Sequence, residues 1–282
     1  MKFTKMHGIG NDYIYINCFE ETVKDPAALS RKISDRHFGV GSDGIILIGP
    51  SDQADFSMDL YNADGSRGLM CGNGIRCVGK YVYDHRLTDR TEVSIMTGAG
   101  LRSVRLNVEN GLVKSVRADM DRPDFKAANV PMIAETEEVI GQQMEFAGSV
   151  WTVTGVSMGN SHLVVLADDP DALDLAKIGP LFEFDPRFPE RVNTDFVRVL
   201  DRKNVRMRVW ERGSGETMAC GTGACASTAA LARMGLTDDT VTIHLRGGDL
   251  LIEWDRNADR IYMTGPAQEV YEGYLDEAFI SC

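Results

Sequence analysis

Two stretches decide the fold, Cys71–Asp84 (CGNGIRCVGKYVYD) and Cys220–Arg233 (CGTGACASTAALAR), because each begins with a cysteine at a glycine-rich turn. They lie 149 residues apart (220 − 71). Three further pairs share this offset: Asn11 with Asn160, Met58 with Met207, and Tyr61 with Trp210. A repeat of this kind predicts two similar domains, each offering one thiol to a shared cleft. A reaction that needs two opposed acid/base groups would use this arrangement.

Strand-like patterns dominate both halves. Short alternating or apolar runs predict strands at residues 13–17, 45–48, 56–61, 101–108, 112–118, 163–166, 195–200 and 205–210. After Cys71 the apolar residues recur at helical spacing, whereas residues 224–232 are small and apolar nearly all round, which is typical of a helix surrounded by protein. Gly235 is expected to end that second helix in a left-handed cap.

These patterns predict an α+β fold with two pseudo-symmetric domains, each a curved, mainly antiparallel sheet or barrel wrapped around a central helix. We expect the first domain at residues 1–120, with residues 266–282 returning to it, and the second at residues 121–265. The boundary is placed near Asp119 to Asp124, where a charged run meets Pro123.

Composition argues against several classes of protein: nucleic-acid-binding, membrane, exported and disulfide-rich proteins. The chain has 282 residues, a formal net charge of −12 and an isoelectric point near 4.9, which opposes nonspecific binding to nucleic acid. No run of 18 apolar residues occurs and the amino terminus lacks an apolar signal segment, so we expect neither membrane insertion nor export but a cytoplasmic location. Six cysteines in such a chain favour reduced thiols over a disulfide framework.

The first cysteine motif (Cys71–Gly74) and the second cysteine motif (Cys220–Gly223) each stand between a glycine-containing loop and a helix. Glycines allow a tight turn and leave backbone N–H groups to face an anion such as a carboxylate. A thiol at the positive end of a helix is expected to have a pKa below the usual value of about 8.5. One thiolate could then remove a proton from carbon while the opposite thiol donates one, which inverts the stereocentre.

Other interpretations of the motifs stay open. Glycine-rich turns of this kind often bind phosphate, but the Lys-Ser/Thr ending of a P-loop is missing. Pairing of Cys71 with Cys77, or of Cys220 with Cys225, does not match metal-ligand spacing, so no metal site is expected. A disulfide between the two motif cysteines would be an oxidation product. The remaining cysteines are interpreted as packing residues or as having no motif: Cys77 and Cys225 as packing, Cys18 and the terminal Cys282 without a motif.

Four further stretches stand out beside the two cysteine motifs: Lys5–Asp12 (KMHGIGND), Asn62–Ser66 (NADGS), Glu211–Thr217 (ERGSGET) and Gly265–Ala267 (GPA). Together with the cysteine motifs, they resemble the diaminopimelate epimerase family. The resemblance covers essentially the whole chain. One departure is Ser161, which stands where the family commonly has proline, and it leaves the stiffness of that loop open.

The resemblance implies a cofactor-independent enzyme, usually a homodimer, that interconverts LL- and meso-diaminopimelate in lysine and peptidoglycan precursor biosynthesis. It implies that Cys71 and Cys220 are the two catalytic acid/base groups, in domains that close over the substrate. The residues implied to hold the distal end of the substrate are Asn11, Asn62, Asn160, Asn193 and Arg212. Those implied to hold the reacting carboxylate are Gly72, Asn73, Gly221 and Thr222. His162 and Glu211 are implied to flank the reacting amino group and to tune the thiols.

Four of these residues also have a purely structural interpretation: Asn62 could serve a turn, Glu211 and Arg212 could be a solvated strand pair, and His162 could be structural. Pyridoxal phosphate is not expected, because no lysine lies in either cysteine motif. A racemase of another amino acid on the same scaffold, a noncatalytic amino-acid-binding protein and a thiol-redox protein remain alternatives. The distal set of one arginine and four asparagines favours a substrate with a second amino-acid head group.

Overall fold

The computed structural model describes residues 1–280, and Cys282 lies outside the described residues. The chain divides into two compact units. Unit 1 comprises Met1–Ala118 together with residues 265–280, and unit 2 comprises Asp119–Thr264. Unit 1 is thus built from two separate segments, while unit 2 is continuous.

Strands outnumber helices along the whole described chain. The first ten elements are β1 (Lys2–Gly8), β2 (Asn11–Asn17), α1 (Pro26–Ile33), β3 (Gly44–Gly49), β4 (Phe56–Asn62), β5 (Arg67–Gly68), α2 (Gly72–Asp84), β6 (Glu92–Thr97), β7 (Gly100–Glu109) and β8 (Leu112–Asp119). The next eight are β9 (Gln142–Phe146), β10 (Ser149–Ser157), β11 (Ser161–Leu166), α3 (Leu175–Glu183), β12 (Asn193–Asp201), β13 (Asn204–Glu211), β14 (Gly215–Glu216) and α4 (Gly221–Arg233). The last five are β15 (Thr240–His244), β16 (Asp249–Asp255), β17 (Arg260–Gly265), β18 (Gln268–Tyr274) and α5 (Glu277–Ile280).

The strand order is the same in both units. In unit 1 it runs β18-β1-β2-β3-β4-β6-β7-β8, with β2–β3 and β4–β6 parallel and the other pairs antiparallel. In unit 2 it runs β9-β10-β11-β12-β13-β15-β16-β17, with β11–β12 and β13–β15 parallel. The short strands β5 and β14 pair with β4 and β13. The predicted α+β class, with a mainly antiparallel sheet made twice, is confirmed.

The helix that follows the motif cysteine packs against the sheet in each unit. In unit 1, α2 packs against β1, β2 and β7; in unit 2, α4 packs against β10, β11, β12, β15 and β16. Residues 223–231 of α4 are all buried, which confirms the prediction of a helix surrounded by protein. The helix ends as expected: Gly235 has φ +74°, and the Leu236 N–H donates to the Leu231 carbonyl at 3.0 Å.

Apolar residues fill the space between sheet and helices. In unit 2 the rings of Phe146 and Phe182 stack with centroids 4.8 Å apart, and Phe196 meets Phe182 edge-on at 5.2 Å. Cys77 and Cys225, interpreted as packing residues, are completely buried, and burial raises the pKa of the Cys77 thiol to about 11. A membrane-spanning helix is not found among the described residues, where the two longest helices have 13 residues each.

Candidate active site

Each motif cysteine is the N-cap of the central helix of its unit. Cys71 precedes α2 and Cys220 precedes α4, both in extended backbone conformation. The Cys71 sulfur accepts a hydrogen bond from the Gly74 N–H at 3.3 Å, and the Cys220 sulfur accepts one from the Gly223 N–H at 3.3 Å. The first N–H groups of a helix have no intrahelical acceptor and face outward with the positive end of the dipole. Both thiols therefore stand beside a ready anion-binding position.

In unit 1 the structure brings Asn11 and Asn73 to Cys71. The amide oxygen of Asn11 accepts hydrogen bonds from the Cys71 thiol and from the Asn73 side chain, each at 3.3 Å. Asp43 fixes the orientation of the Asn11 amide, because Asn11 Nδ2 donates to Asp43 Oδ2 at 2.7 Å. Asp43 was missed by sequence reasoning, since its position carries no motif and lies 32 residues from Asn11.

Charged neighbours hold Asp43 in place. Arg36 Nη2 lies 2.9 Å from both Asp43 Oδ1 and Asp12 Oδ1, and Lys5 forms an ion pair with Asp12. Burial raises the pKa of Asp43, and the charge of Asp12 raises it further. Burial also opposes ionisation of Asp12, but hydrogen bonds from Arg36 and Lys5 outweigh it and lower the pKa of that carboxyl. The carboxylates thus form a fixed frame behind Asn11.

The side chain of Asn62 is hydrogen-bonded within its own turn. Asn62 ends β4, and its side chain donates to Ser66 Oγ at 3.0 Å within the turn that leads to β5. Its backbone carbonyl accepts a hydrogen bond from Ser30 Oγ at 2.7 Å. These contacts match the turn interpretation of Asn62.

In unit 2 the structure brings together four of the predicted residues. Cys220 Sγ lies 3.4 Å from Thr222 Oγ1, which lies 3.0 Å from His162 Nε2. Asn160 contacts both neighbours: its Nδ2 donates to Thr222 Oγ1 at 3.2 Å, and its Oδ1 lies 3.2 Å from His162 Nε2. The second cysteine motif is therefore connected to the β10–β11 turn by side-chain hydrogen bonds.

A buried aspartate completes this half. Asp195, on β12, places Oδ2 2.8 Å from His162 Nδ1, and both side chains are completely buried. Asp195 was not predicted, because Ile46 stands at its equivalent position in unit 1 and the repeat gives no signal there. A weaker signal was available: an aspartate in an otherwise apolar buried strand usually has a specific partner.

Burial and two nearby carboxylates raise the pKa of Cys220. Burial raises the pKa of Glu211, whose carboxylate accepts a hydrogen bond from Thr217. Burial also raises the pKa of Cys220 well above its usual value, and the charges of Glu211 and Asp195 raise it further. The expectation of a lowered thiol pKa is wrong for Cys220, because hydrogen bonds from Thr222 and Gly223 do not offset burial and two nearby carboxylates.

Asn193 and Arg212 meet through the backbone. Asn193 Nδ2 donates to the Ser161 carbonyl at 2.7 Å, and its Oδ1 accepts from the Arg212 N–H at 2.9 Å. The Arg212 side chain is exposed and donates through Nη1 to the Glu190 carbonyl at 2.8 Å. Asn193 thus connects the start of the 212–214 turn to the start of β11.

Elsewhere in unit 1, three side chains of types that can bind metal ions lie close together. The potential ligand atoms of His85, Glu269 and Glu272 are within 4.8 Å of one another. The two glutamates approach opposite ring nitrogens, Glu269 at Nε2 (2.9 Å) and Glu272 at Nδ1 (3.8 Å). Lys2 already contacts Glu272 at 2.8 Å. One ion could not use both ring nitrogens, so this arrangement fits an ion-pair network better than a metal centre.

Comparison with known proteins settles the family. The diaminopimelate epimerase family model matches residues 3–126 and 154–270, which include both cysteine motifs. The chain belongs to the diaminopimelate epimerase family. The resemblance drawn from the motifs is thereby confirmed, while the roles of individual residues stay predictions.

Members of the diaminopimelate epimerase family match over nearly their full length. The diaminopimelate epimerase of Agathobacter rectalis is 53% identical, with 98% of this chain and 99% of that protein aligned. That of Acetivibrio thermocellus is 51% identical, with the same coverage of 98% and 99%.

Solved structures at low identity share the fold. A hydroxyproline epimerase from Agrobacterium vitis superimposes with a TM-score of 0.69 at 16% identity, over 99% of this chain and 93% of that one. A PhzF-family phenazine biosynthesis protein from Bacillus anthracis also gives a TM-score of 0.69, at 15% identity, over 98% of this chain and 99% of the other. At this identity the likeness concerns the architecture alone, and it agrees with the predicted fold class.

Proposed function

We propose that this chain interconverts LL- and meso-diaminopimelate by a two-thiol, cofactor-independent mechanism. One observation supports the proposal most directly. The two units have the same strand order, and in each the motif cysteine is the N-cap of the central helix and accepts a hydrogen bond from the N–H three residues further on. Two relatives named diaminopimelate epimerase are 53% and 51% identical to this chain over nearly its whole length, which supports the choice of substrate.

The proposed chemistry moves one proton at each face of the α-carbon. A thiolate takes the α-proton, the C–H bond breaks, and the resulting carbanion receives a proton from the opposite thiol, so the charge on the enzyme is unchanged. The N–H groups of Gly72, Asn73, Gly221 and Thr222 would bind the carboxylate and stabilise the negative charge that develops beside it. The proposal requires both sulfurs to face the same α-carbon.

The pKa of Cys220 supports an assignment of roles in the free enzyme. Burial and two carboxylates favour its neutral form, so Cys220 would begin the first half-reaction as the proton donor. Cys71 would then begin as the base. The roles exchange in the reverse direction, as microscopic reversibility requires.

The distal end of the substrate would be held mainly by the exposed guanidinium of Arg212, whose planar donors fit a carboxylate. Asn11 and Asn160 would add directional amides from beside the two motifs, where Asn11 contacts Cys71 and Asn160 contacts Thr222. Asn193 would contribute by fixing the backbone of Arg212, and Asn62 by shaping its turn. A homodimer in the cytoplasm remains part of the proposal on the strength of the family resemblance.

The test is proton NMR of LL-diaminopimelate with reduced enzyme in D₂O, beside Cys71→Ala, Cys220→Ala and the control Cys18→Ala, which changes a thiol outside both motifs. Deuterium at the α-position together with inversion, lost in both motif variants but kept in the control, is the expected result. Absence of exchange with folded, reduced protein would refute the substrate assignment. Equal turnover of an amino acid with one carboxylate would favour a racemase of different specificity.

Binding measurements separate the remaining classes. If Cys71→Ser and Cys220→Ser lose substrate binding but the wild type shows no exchange, a noncatalytic amino-acid-binding protein is favoured. Reversible disulfide cycling with a reductase would favour a thiol-redox protein.

A further inference from the structure

A continuous hydrogen-bond chain of side chains leads from Cys220 into the core of unit 2. It runs from Cys220 Sγ to Thr222 Oγ1 (3.4 Å), to His162 Nε2 (3.0 Å), and from His162 Nδ1 to Asp195 Oδ2 (2.8 Å). The last two residues are completely buried, and Cys220 is 5% exposed. Each step is within reach of a proton transfer between neighbouring heteroatoms.

Donors and acceptors along the chain match a neutral His162. Asp195, as a carboxylate, can only accept, so it fixes the proton on Nδ1 and leaves Nε2 as an acceptor. Nε2 then accepts from the Thr222 hydroxyl. The Thr222 oxygen uses its two lone pairs for the Cys220 thiol and for Asn160 Nδ2, which lies at 3.2 Å. All donors in this set have acceptors.

A protonated His162 is satisfied equally well. An imidazolium carries a second proton, on Nε2, and needs a further acceptor there. The amide oxygen of Asn160 lies 3.2 Å from Nε2 and fills that need. The imidazolium then donates from Nδ1 to Asp195 Oδ2 at 2.8 Å in a charge-assisted hydrogen bond. The site thus offers partners for both protonation states of one imidazole.

We propose that Cys220 exchanges its proton with His162 through the hydroxyl of Thr222, and that Asp195 is the positioning residue that makes this possible. The proton leaves Cys220 Sγ for Thr222 Oγ1 as the hydroxyl proton of Thr222 passes to His162 Nε2. The product is a thiolate, an unchanged threonine, an imidazolium and an unchanged Asp195 carboxylate, so charge and atoms balance. The relay rests on the proposed function in that it supplies Cys220 as a base when the reaction runs from the other epimer.

The relay belongs to one thiol. At the offset of 149 residues, Thr222 corresponds to Asn73, His162 to Tyr13 and Asp195 to Ile46, so the threonine, histidine and aspartate of the relay are not repeated at the positions equivalent to them around Cys71. The other titratable group that faces Cys220 is Glu211, whose charge acts directly on the thiol. Cys71 therefore serves as an internal control in the same molecule.

The relay and a purely electrostatic role of Asp195 predict opposite signs. As a nearby negative charge, Asp195 disfavours the Cys220 thiolate, so Asp195→Asn would speed alkylation of Cys220. As the support of the imidazolium, Asp195 favours that thiolate, so the same variant would slow it. The measurement is alkylation by iodoacetamide from pH 6 to 9, with Cys220 and Cys71 quantified by peptide mass spectrometry. The relay predicts that Asp195→Asn slows alkylation of Cys220 at pH 7 about tenfold and shifts the pH profile of that alkylation to higher pH. The alkylation rate of Cys71 should be unchanged.

Thr222 supplies a second, independent variant pair. Valine has the shape of threonine but no hydroxyl, so Thr222→Val should slow alkylation of Cys220 to a similar degree. Thr222→Ser keeps a hydroxyl, so the alkylation rate should be close to that of the wild type. Faster or unchanged alkylation in Asp195→Asn, or no loss in Thr222→Val, would overturn the relay. None of these readouts needs the substrate, so failure of the relay and failure of the proposed epimerisation are seen in separate experiments.

Discussion

At the scale of single residues, two thiols in the same backbone geometry have different neighbours. Cys71 meets the amide oxygen of Asn11, whereas Cys220 meets the hydroxyl of Thr222 with Glu211 and Asp195 close by. The helix end that both share favours a thiolate, but burial and negative charge reverse that preference at Cys220. Chemistry at this site is therefore set by side chains beyond the motif itself.

Glu211→Gln should separate stability from activity. Burial raises the pKa of Glu211, so the folded protein binds its proton more tightly than the unfolded chain does. Below the ordinary carboxyl pKa, wild type and variant should be equally stable. As the pH rises through that value toward the raised folded pKa, the wild type loses stability relative to the variant, and the difference is constant above it. Unfolding temperatures from pH 4 to 8 measure this difference.

Activity should change in the opposite direction. Glutamine can still accept the Thr217 hydrogen bond but carries no charge beside Cys220, so we expect kcat to fall about 100-fold or more. The control is Glu92→Gln, which alters an exposed ion pair with Arg105 and should change neither quantity appreciably. A variant less stable than the wild type at pH 8 would contradict the burial argument.

At the scale of elements, the first turns of α2 and α4 are equivalent in backbone but not in packing. A Cβ at Gly74 would stand 2.6 Å from Ile46 Cδ1 and 3.0 Å from Met58 Cε, both at the ends of flexible side chains. A Cβ at Gly223 would overlap the Asp195 carboxylate and stand 2.9 Å from Met207 Cε. Asp195 cannot yield without leaving His162.

Gly223→Ala should therefore be more damaging than Gly74→Ala. We expect a loss of about 1–3 kcal/mol and of most activity at Gly223, typical of forced overpacking. At Gly74 the loss should be smaller, since apolar side-chain ends can shift and alanine favours the helix. Thermal unfolding and epimerisation of the two variants, measured side by side, provide the test. Equal losses, or a larger one at Gly74, would show that the contact with Asp195 is not the cause.

At the scale of the whole molecule, the path of the chain makes the two units unequal. Unit 2 is one continuous segment, whereas unit 1 needs residues 265–280 to complete its sheet. In that sheet β18 pairs with β1 from Lys2–Tyr274 to His7–Gln268, and Glu269 meets His85 at the end of α2. Removal of β18 would expose one edge of β1 along its whole length.

Fragments should reflect this difference. We expect residues 119–264 to unfold cooperatively on heating as an isolated fragment, and residues 1–118 not to do so. A chain in which a short Gly/Ser linker replaces residues 119–264 should recover cooperative unfolding, because β18 is again available to β1. Circular dichroism melting of the three proteins checks this. Cooperative unfolding of residues 1–118 alone would show that β18 is dispensable and that the expected first domain folds without its returning segment.

Local pattern predicted much of the architecture. Alternating or apolar runs located β2, β3, β4, β7, β8, β11, β12 and β13 to within two residues at each end. Helical spacing located α2, and the run of small apolar residues located α4. The repeat located the equivalent cysteines, because two copies at one offset carry information that a single motif lacks. The parallel pairs β2–β3 and β4–β6 were not predicted, since register between strands depends on contacts distant in sequence.

The sequence by itself therefore determined the repeated α+β fold, the family and the two thiols at helix starts, because each follows from residues close together or from a constant offset. The tertiary structure alone decided which carboxylates stand behind them. Asp43 reaches Asn11 across 32 residues and Asp195 reaches His162 across 33. Strand pairing brings such residues together, and at Cys220 burial raises the pKa of the thiol while the charges of Glu211 and Asp195 raise it further.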